Sequence, residues 1–160
     1  MKYILRILPW KKTIQVSIAL LALLTIFSFY GLYTNTFPVL KPANFVFPFL
    51  TLVHFAFLYV LWFKIKEDEG TDPQMRIIEY ILYVVFLVYL FNTVQTIITL
   101  ATYSDFSNHV MPITFLPIGI LILILQLILL GTTLLAVKYR KELVGPYIFD
   151  DMNQHIDSWE

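Results

Sequence analysis

The 160-residue chain contains no cysteine. That excludes structural disulfides, Cys-ligated zinc or iron–sulfur clusters, a thiol nucleophile and a lipid-bearing lipoprotein cysteine. Charge is also scarce: 14% of residues are Asp, Glu, Lys or Arg, against about 25% in a typical soluble domain. Net charge is zero and no basic patch stands out, so no nucleic-acid partner is expected. No Asp or Glu lies near the middle of any apolar run, which leaves no carboxylate pair for acid–base work and no proton relay. A glycine-rich phosphate loop, an HExxH motif and an internal repeat are likewise missing. So are the intramembrane acidic or Arg/Asn motifs that lipoprotein signal peptidases, glutathione-transferase-like membrane enzymes and small multidrug pumps require. No catalytic residue, metal ligand set or cofactor is expected.

What remains is apolar. Hydrophobic residues make up 59% of the chain and the mean hydropathy is +0.76. Apolar runs near the length of about 20 residues that a bilayer demands recur along it. The expected fold is all-α: a polytopic membrane protein, an antiparallel four-transmembrane-helix bundle with short loops and amphipathic terminal segments. The spans fall at about 14–33, 46–63, 77–102 and 113–137, forming one unit over 13–137. A basic interfacial segment, 1–12, precedes them and a tail, 138–160, follows. The first segment reads as uncleaved, because the run after it is too long for a signal peptide and no A-x-A-like site follows.

Local punctuation supports these boundaries. Asp72 before Pro73 predicts a helix N-cap with proline at the first helical position. Pro117 predicts a bend or a broken first turn, and Gly145–Pro146 ends the last helix. Arg76 and Glu79, one turn apart, suggest a surface pair near the membrane boundary, where Glu79 can reach water.

The cations fix the expected orientation. Four lie before the first span, three between the second and third and three after the fourth, ten of the eleven Lys and Arg in all. Lys41 stands alone on the other side. The positive-inside rule then puts both termini in the cytoplasm of a cell inner (plasma) membrane, an organellar inner membrane being the alternative.

The third span carries a polar stripe. At about 100° per residue, Tyr89, Gln95, Thr96, Thr99 and Tyr103 fall within about 60° of Asn92. Lipid cannot satisfy an amide side chain, so the stripe must face protein or water. Counting depth at about 1.5 Å per residue places His54, Asn92 and Gln126 near one midplane layer, with Gln95 one turn beyond Asn92. Such a layer is either a ligand site or an interhelical hydrogen-bond cluster that sets register.

In the tail, Ile148, Met152, Ile156 and Trp159 recur at helical spacing beside acidic residues. An acidic polar face disfavours anionic lipid, so this stripe is a candidate docking face for protein. The functional expectation is a non-enzymatic accessory or scaffold subunit of a larger inner-membrane complex. The alternative is a small homo-oligomeric transporter, channel or ligand-binding membrane protein that uses the midplane layer. The expected partners are the lipid bilayer and other integral membrane subunits, or further copies of the chain.

Overall fold

The computed structural model describes residues 8–103 and 111–147. The first seven residues and the predicted docking face Ile148, Met152, Ile156 and Trp159 lie outside the described residues. Four helices are long and apolar enough to cross a membrane. They are α1 (Trp10–Ser28), α2 (Val46–Glu67), α3 (Pro73–Ala101) and α4 (Phe115–Tyr139). A 3₁₀ turn, Pro42–Phe45, leads into α2, and a π turn, Arg140–Val144, continues α4. No strand occurs among the described residues; an isolated bridge joins Gly31 to Thr36.

The helix ends follow local chemistry more than hydropathy. α1 starts a turn before its apolar run, because Pro9 is extended and the Thr13 hydroxyl lies 3.3 Å from the Leu8 and Pro9 carbonyls. It stops at Ser28, short of the predicted end. Tyr30 and Gly31 leave the helix to build a compact turn: the Gly31 amide donates to Thr36 O at 2.8 Å, and the Tyr30 hydroxyl donates to Asn35 at 2.6 Å. α2 runs a turn past Trp62 and ends where Asp68 takes a left-handed conformation (φ 54°). α3 starts at Pro73, and the Asp72 carboxylate caps it by accepting from the Met75 amide at 2.6 Å. Pro117 sits in the first turn of α4, where its missing N–H costs nothing.

α1 packs on α2 and on α4, α2 on α3, and α3 on α4, so the contacts close on themselves. The shared core holds Leu21, Phe57, Leu58, Leu61, Met75, Leu82, Val85, Leu129 and Ala136. On α3 the buried positions Met75, Glu79, Leu82, Val85, Tyr89 and Thr93 recur every three to four residues, the signature of one inward face. The opposite faces expose Phe49, Leu52, Val84, Leu87, Phe91 and Leu127. Patches of this extent suit lipid, not water.

Side-chain bonds gather the connections at two ends. At the charged end, the Tyr139 hydroxyl donates to Leu8 O at 2.7 Å and the Thr71 hydroxyl to Pro146 O at 2.9 Å. Lys64 lies 2.8 Å from both Glu69 and Asp72. At the other end, Tyr30 meets Thr114 at 3.2 Å, and Phe115 packs against both Tyr33 and Tyr103.

Asp72 therefore serves as helix cap and as ion partner. Burial acts to raise its carboxyl pKa, but hydrogen bonds from Lys64 and the Met75 amide outweigh it and hold the group below the ordinary carboxylate value. The sign follows: with a folded pKa below the unfolded value of about 3.9, the stabilisation is complete above that pH and is lost as pH falls through the folded value. Asp72→Ala is expected to cost about 0.5–2 kcal/mol at neutral pH. Thermal unfolding in detergent between about pH 2 and 6 should show a shallower acid loss in the variant than in the wild type. Equal slopes would remove Asp72 from the account.

Candidate functional site

The four helices and the 3₁₀ turn line an open cavity of about 440 Å³ at the end away from the ion pairs. Its polar lining comes from Ser28 on α1, Asn44 in the 3₁₀ turn, Asn92, Gln95, Thr96 and Thr99 on α3, and Gln126 on α4. Leu24, Phe27, Phe47 and Ile122 supply apolar wall, and no lining residue is charged. Four of the six stripe positions line this space, Asn92, Thr96 and Thr99 half-buried and Gln95 exposed, whereas Tyr89 and Tyr103 do not.

Part of the polar lining is already satisfied. The Thr96 hydroxyl donates to Asn92 O at 2.9 Å, a common use of threonine within a helix. Ser28 donates to Thr25 O at 2.7 Å and lies 3.2 Å from Asn44 O, while the Asn44 amide donates to Pro38 O at 3.0 Å. The Gln126 side-chain carbonyl is different: it is buried and has no hydrogen-bond partner among the described residues. An acceptor left in this condition costs about 1–3 kcal/mol unless water or a ligand pairs with it.

Of the four residues assigned to the midplane layer, Asn92, Gln95 and Gln126 line the cavity and His54 does not. His54 is fully buried behind the wall and stacks on Tyr89 at 5.9 Å between ring centroids. Tyr89 packs on Phe47 at 5.3 Å, and Phe47 lines the cavity. Two rings, Tyr89 and Phe47, therefore link the imidazole to the cavity wall. Both ring nitrogens of His54 and the Tyr89 hydroxyl lack partners among the described residues. Thr51 is the polar neighbour of the phenol, but its hydroxyl meets Thr25 at 3.4 Å.

At the charged end lies a second constellation that sequence reasoning missed. Glu79 is completely buried, which corrects the expectation of a surface pair with Arg76 and of access to water. Its carboxylate pairs with Arg140 Nη2 at 2.6 Å. The Tyr147 hydroxyl donates to its other oxygen at 2.6 Å, and the Tyr83 hydroxyl donates to the oxygen shared with Arg140. Arg140, 4% exposed, also donates to Gly145 O at 3.2 Å and stacks over the Tyr147 ring at 4.4 Å. The π turn makes this possible by folding Gly145–Tyr147 back over the guanidinium; Gly145 carries the required positive φ of 99°. Burial and the bond to Glu79 both push the Tyr147 phenol pKa up. One signal was present in the sequence: Glu79 is the single acid inside the third apolar run, and such a group demands a cation from another span.

On α3 the fully buried Leu82 and Val85 lie between Glu79 and Tyr89, so apolar side chains part the ion pair from the cavity. The cavity offers hydrogen bonds to a neutral solute. Among the described residues no group of three His, Cys, Asp or Glu could hold a metal ion. Comparison with protein-family models, curated proteins and solved structures finds no match to this chain.

The buried pair sets a stability test. Glu79→Leu or Arg140→Met alone leaves an uncompensated buried charge and is expected to cost about 3–5 kcal/mol. The double variant should cost clearly less than the sum of the two. Denaturant unfolding of the three purified variants measures the coupling; additive losses would contradict a direct pair.

Proposed function

We propose that the protein is a non-enzymatic, ligand-binding membrane protein that takes a small uncharged molecule into its polar cavity. The observation that carries this reading is the unpaired, buried carbonyl of Gln126, a residue of the wall of an uncharged polar cavity. The ligand has hydrogen-bond donors for Gln126 and Asn92 and an apolar body that fits against Leu24, Phe47 and Ile122. The hydroxyls of a quinol headgroup would supply such donors; an oxidised quinone, which has only acceptors, would not. A cation or anion does not fit, since nothing in the lining would compensate its charge. The helices act as an antiparallel bundle in an inner membrane, with both termini and the ion pairs cytoplasmic and the cavity mouth on the outer side. The ten-to-one distribution of Lys and Arg supports that orientation.

A second reading is the accessory subunit of a larger membrane complex. One observation favours it. Tyr147 and Pro146 are bonded to Glu79 and Thr71, so the chain beyond them departs from a fixed point beside the α2–α3 connection. The stripe Ile148, Met152, Ile156 and Trp159 would then be offered to a partner from a defined place. The two readings are compatible in one molecule, and the cavity gives the first the more specific support.

The natural absence of cysteine makes the test direct. Ser28→Cys and Thr99→Cys, at the cavity wall, should react with a membrane-impermeant maleimide applied to intact cells. Val85→Cys, in the apolar core, should not react. Labelling of the wall positions only after the membrane is opened would reverse the orientation. No labelling under either condition would remove the water-accessible cavity.

A further inference from the structure

A second groove, of about 540 Å³, runs between α1 and α2 at the charged end. It lies outside the polar cavity and shares no lining residue with it. α1 and α2 are the least closely packed of the neighbouring helix pairs, which leaves the seam open to the side. Lys11, Gln15 and Ile18 line it from α1, and Phe55, Tyr59 and Trp62 from α2. The volume falls within the range of about 300–1,000 Å³ typical of small-molecule sites.

Its polarity is graded along its length. Lys11 and Gln15 lie toward the start of α1 and Trp62 toward the end of α2, so the polar groups gather at the charged end. Deeper along the same helices the lining becomes Ile18 and Phe55. A second cation stands beside a lining ring: the Lys66 ammonium lies 5.2 Å from the centre of the Trp62 ring. It also pairs with Glu67 at 2.9 Å, but both partners are solvent-exposed, so an incoming anion can compete. Lys11 itself stacks over Trp10 at 5.4 Å. No acid lines the groove.

We propose that this groove is a binding site for one anionic phospholipid, its phosphate between Lys11 and Lys66 and an acyl chain along Ile18 and Phe55. The charge complementarity selects this occupant. A helix of a neighbouring protein would need the apolar floor but not the two cations. An anionic headgroup needs both, and aromatic rings at headgroup level are its usual company.

The chain has three tryptophans, at positions 10, 62 and 159, so Trp10→Phe with Trp159→Phe leaves Trp62 as the reporter within the groove. This protein is reconstituted in phosphatidylcholine vesicles doped with brominated phosphatidylglycerol or brominated phosphatidylcholine. At low mole fraction, Trp62 should be quenched several-fold more by the anionic lipid. Lys11→Gln with Lys66→Gln, both exposed positions, should bring the two curves together without altering the phosphatidylcholine curve. A control reporter, Tyr80→Trp with Trp62→Phe added, sits on an exposed face of α3 near the same end and should show no preference. Coincident curves for Trp62 would overturn the proposal, as would an equal preference at position 80, which marks general attraction to a basic surface. Quenching by neither lipid would also overturn it, because a protein segment would then fill the groove. The comparison of lipids on unsubstituted lysines stands even if the lysine variants fail to insert.

Discussion

A carboxylate inside an apolar helix has to be neutralised by the protein itself, and Glu79 imposes that demand on the whole charged end. Arg140 answers it at 2.6 Å, and Tyr83 and Tyr147 complete the shell of donors. Bringing Arg140 there requires α4 to continue past its apolar run, and bringing Tyr147 there requires the π turn and the positive φ of Gly145. Thr71 then ties the α2–α3 connection to Pro146, and Tyr139 ties α4 to Leu8. Removing one charge would strand the other, so this end is specified by electrostatics as much as by packing.

The opposite end is organised by the reverse condition. Its polar groups are neutral, several are already bonded to backbone, and the buried Gln126 carbonyl has no partner among the described residues. Between the two ends lie Phe57, Leu61, Leu82 and Val85, all buried. Buried hydroxyls of Ser17, Thr132 and Thr133 also lie along this stretch, the two threonines donating to Leu129 O. The groove beside Lys11 differs again, with that cation in its lining, Lys66 over its Trp62 ring and an apolar floor. The two spaces differ in lining, and the two proposed ligands follow that difference: a neutral solute in one, an anionic amphiphile in the other.

Much of this was legible in the sequence, for physical reasons. Runs of Leu, Ile, Val and Phe can only be membrane-length helices, because backbone groups in lipid must pair internally. Asp72 before Pro73 announced the start of α3, and the stripe through Asn92 announced a polar lining. The His54 position was not legible. Residue counting gives depth along a helix but not the rotation of one helix against another, so an imidazole at the depth of Asn92 turns instead toward Tyr89. The end of α1 was missed because Tyr30 and Gly31 find better bonds in a turn than in the helix. The partner of Glu79 was missed because Arg140 is 61 residues distant and reads locally as one of three cations closing a span.

Whether Gln126 and its neighbours hold a neutral ligand, as proposed, is decided by native mass spectrometry of the protein released from a gentle detergent. A small adduct of fixed mass is expected on the wild-type chain, lost in Gln126→Leu and retained in Lys11→Gln. That pattern also separates it from a phospholipid in the α1–α2 groove. An adduct unchanged by Gln126→Leu would contradict the account. So would an adduct-free chain recovered only in stoichiometric association with different proteins, which would leave the accessory-subunit reading in its place.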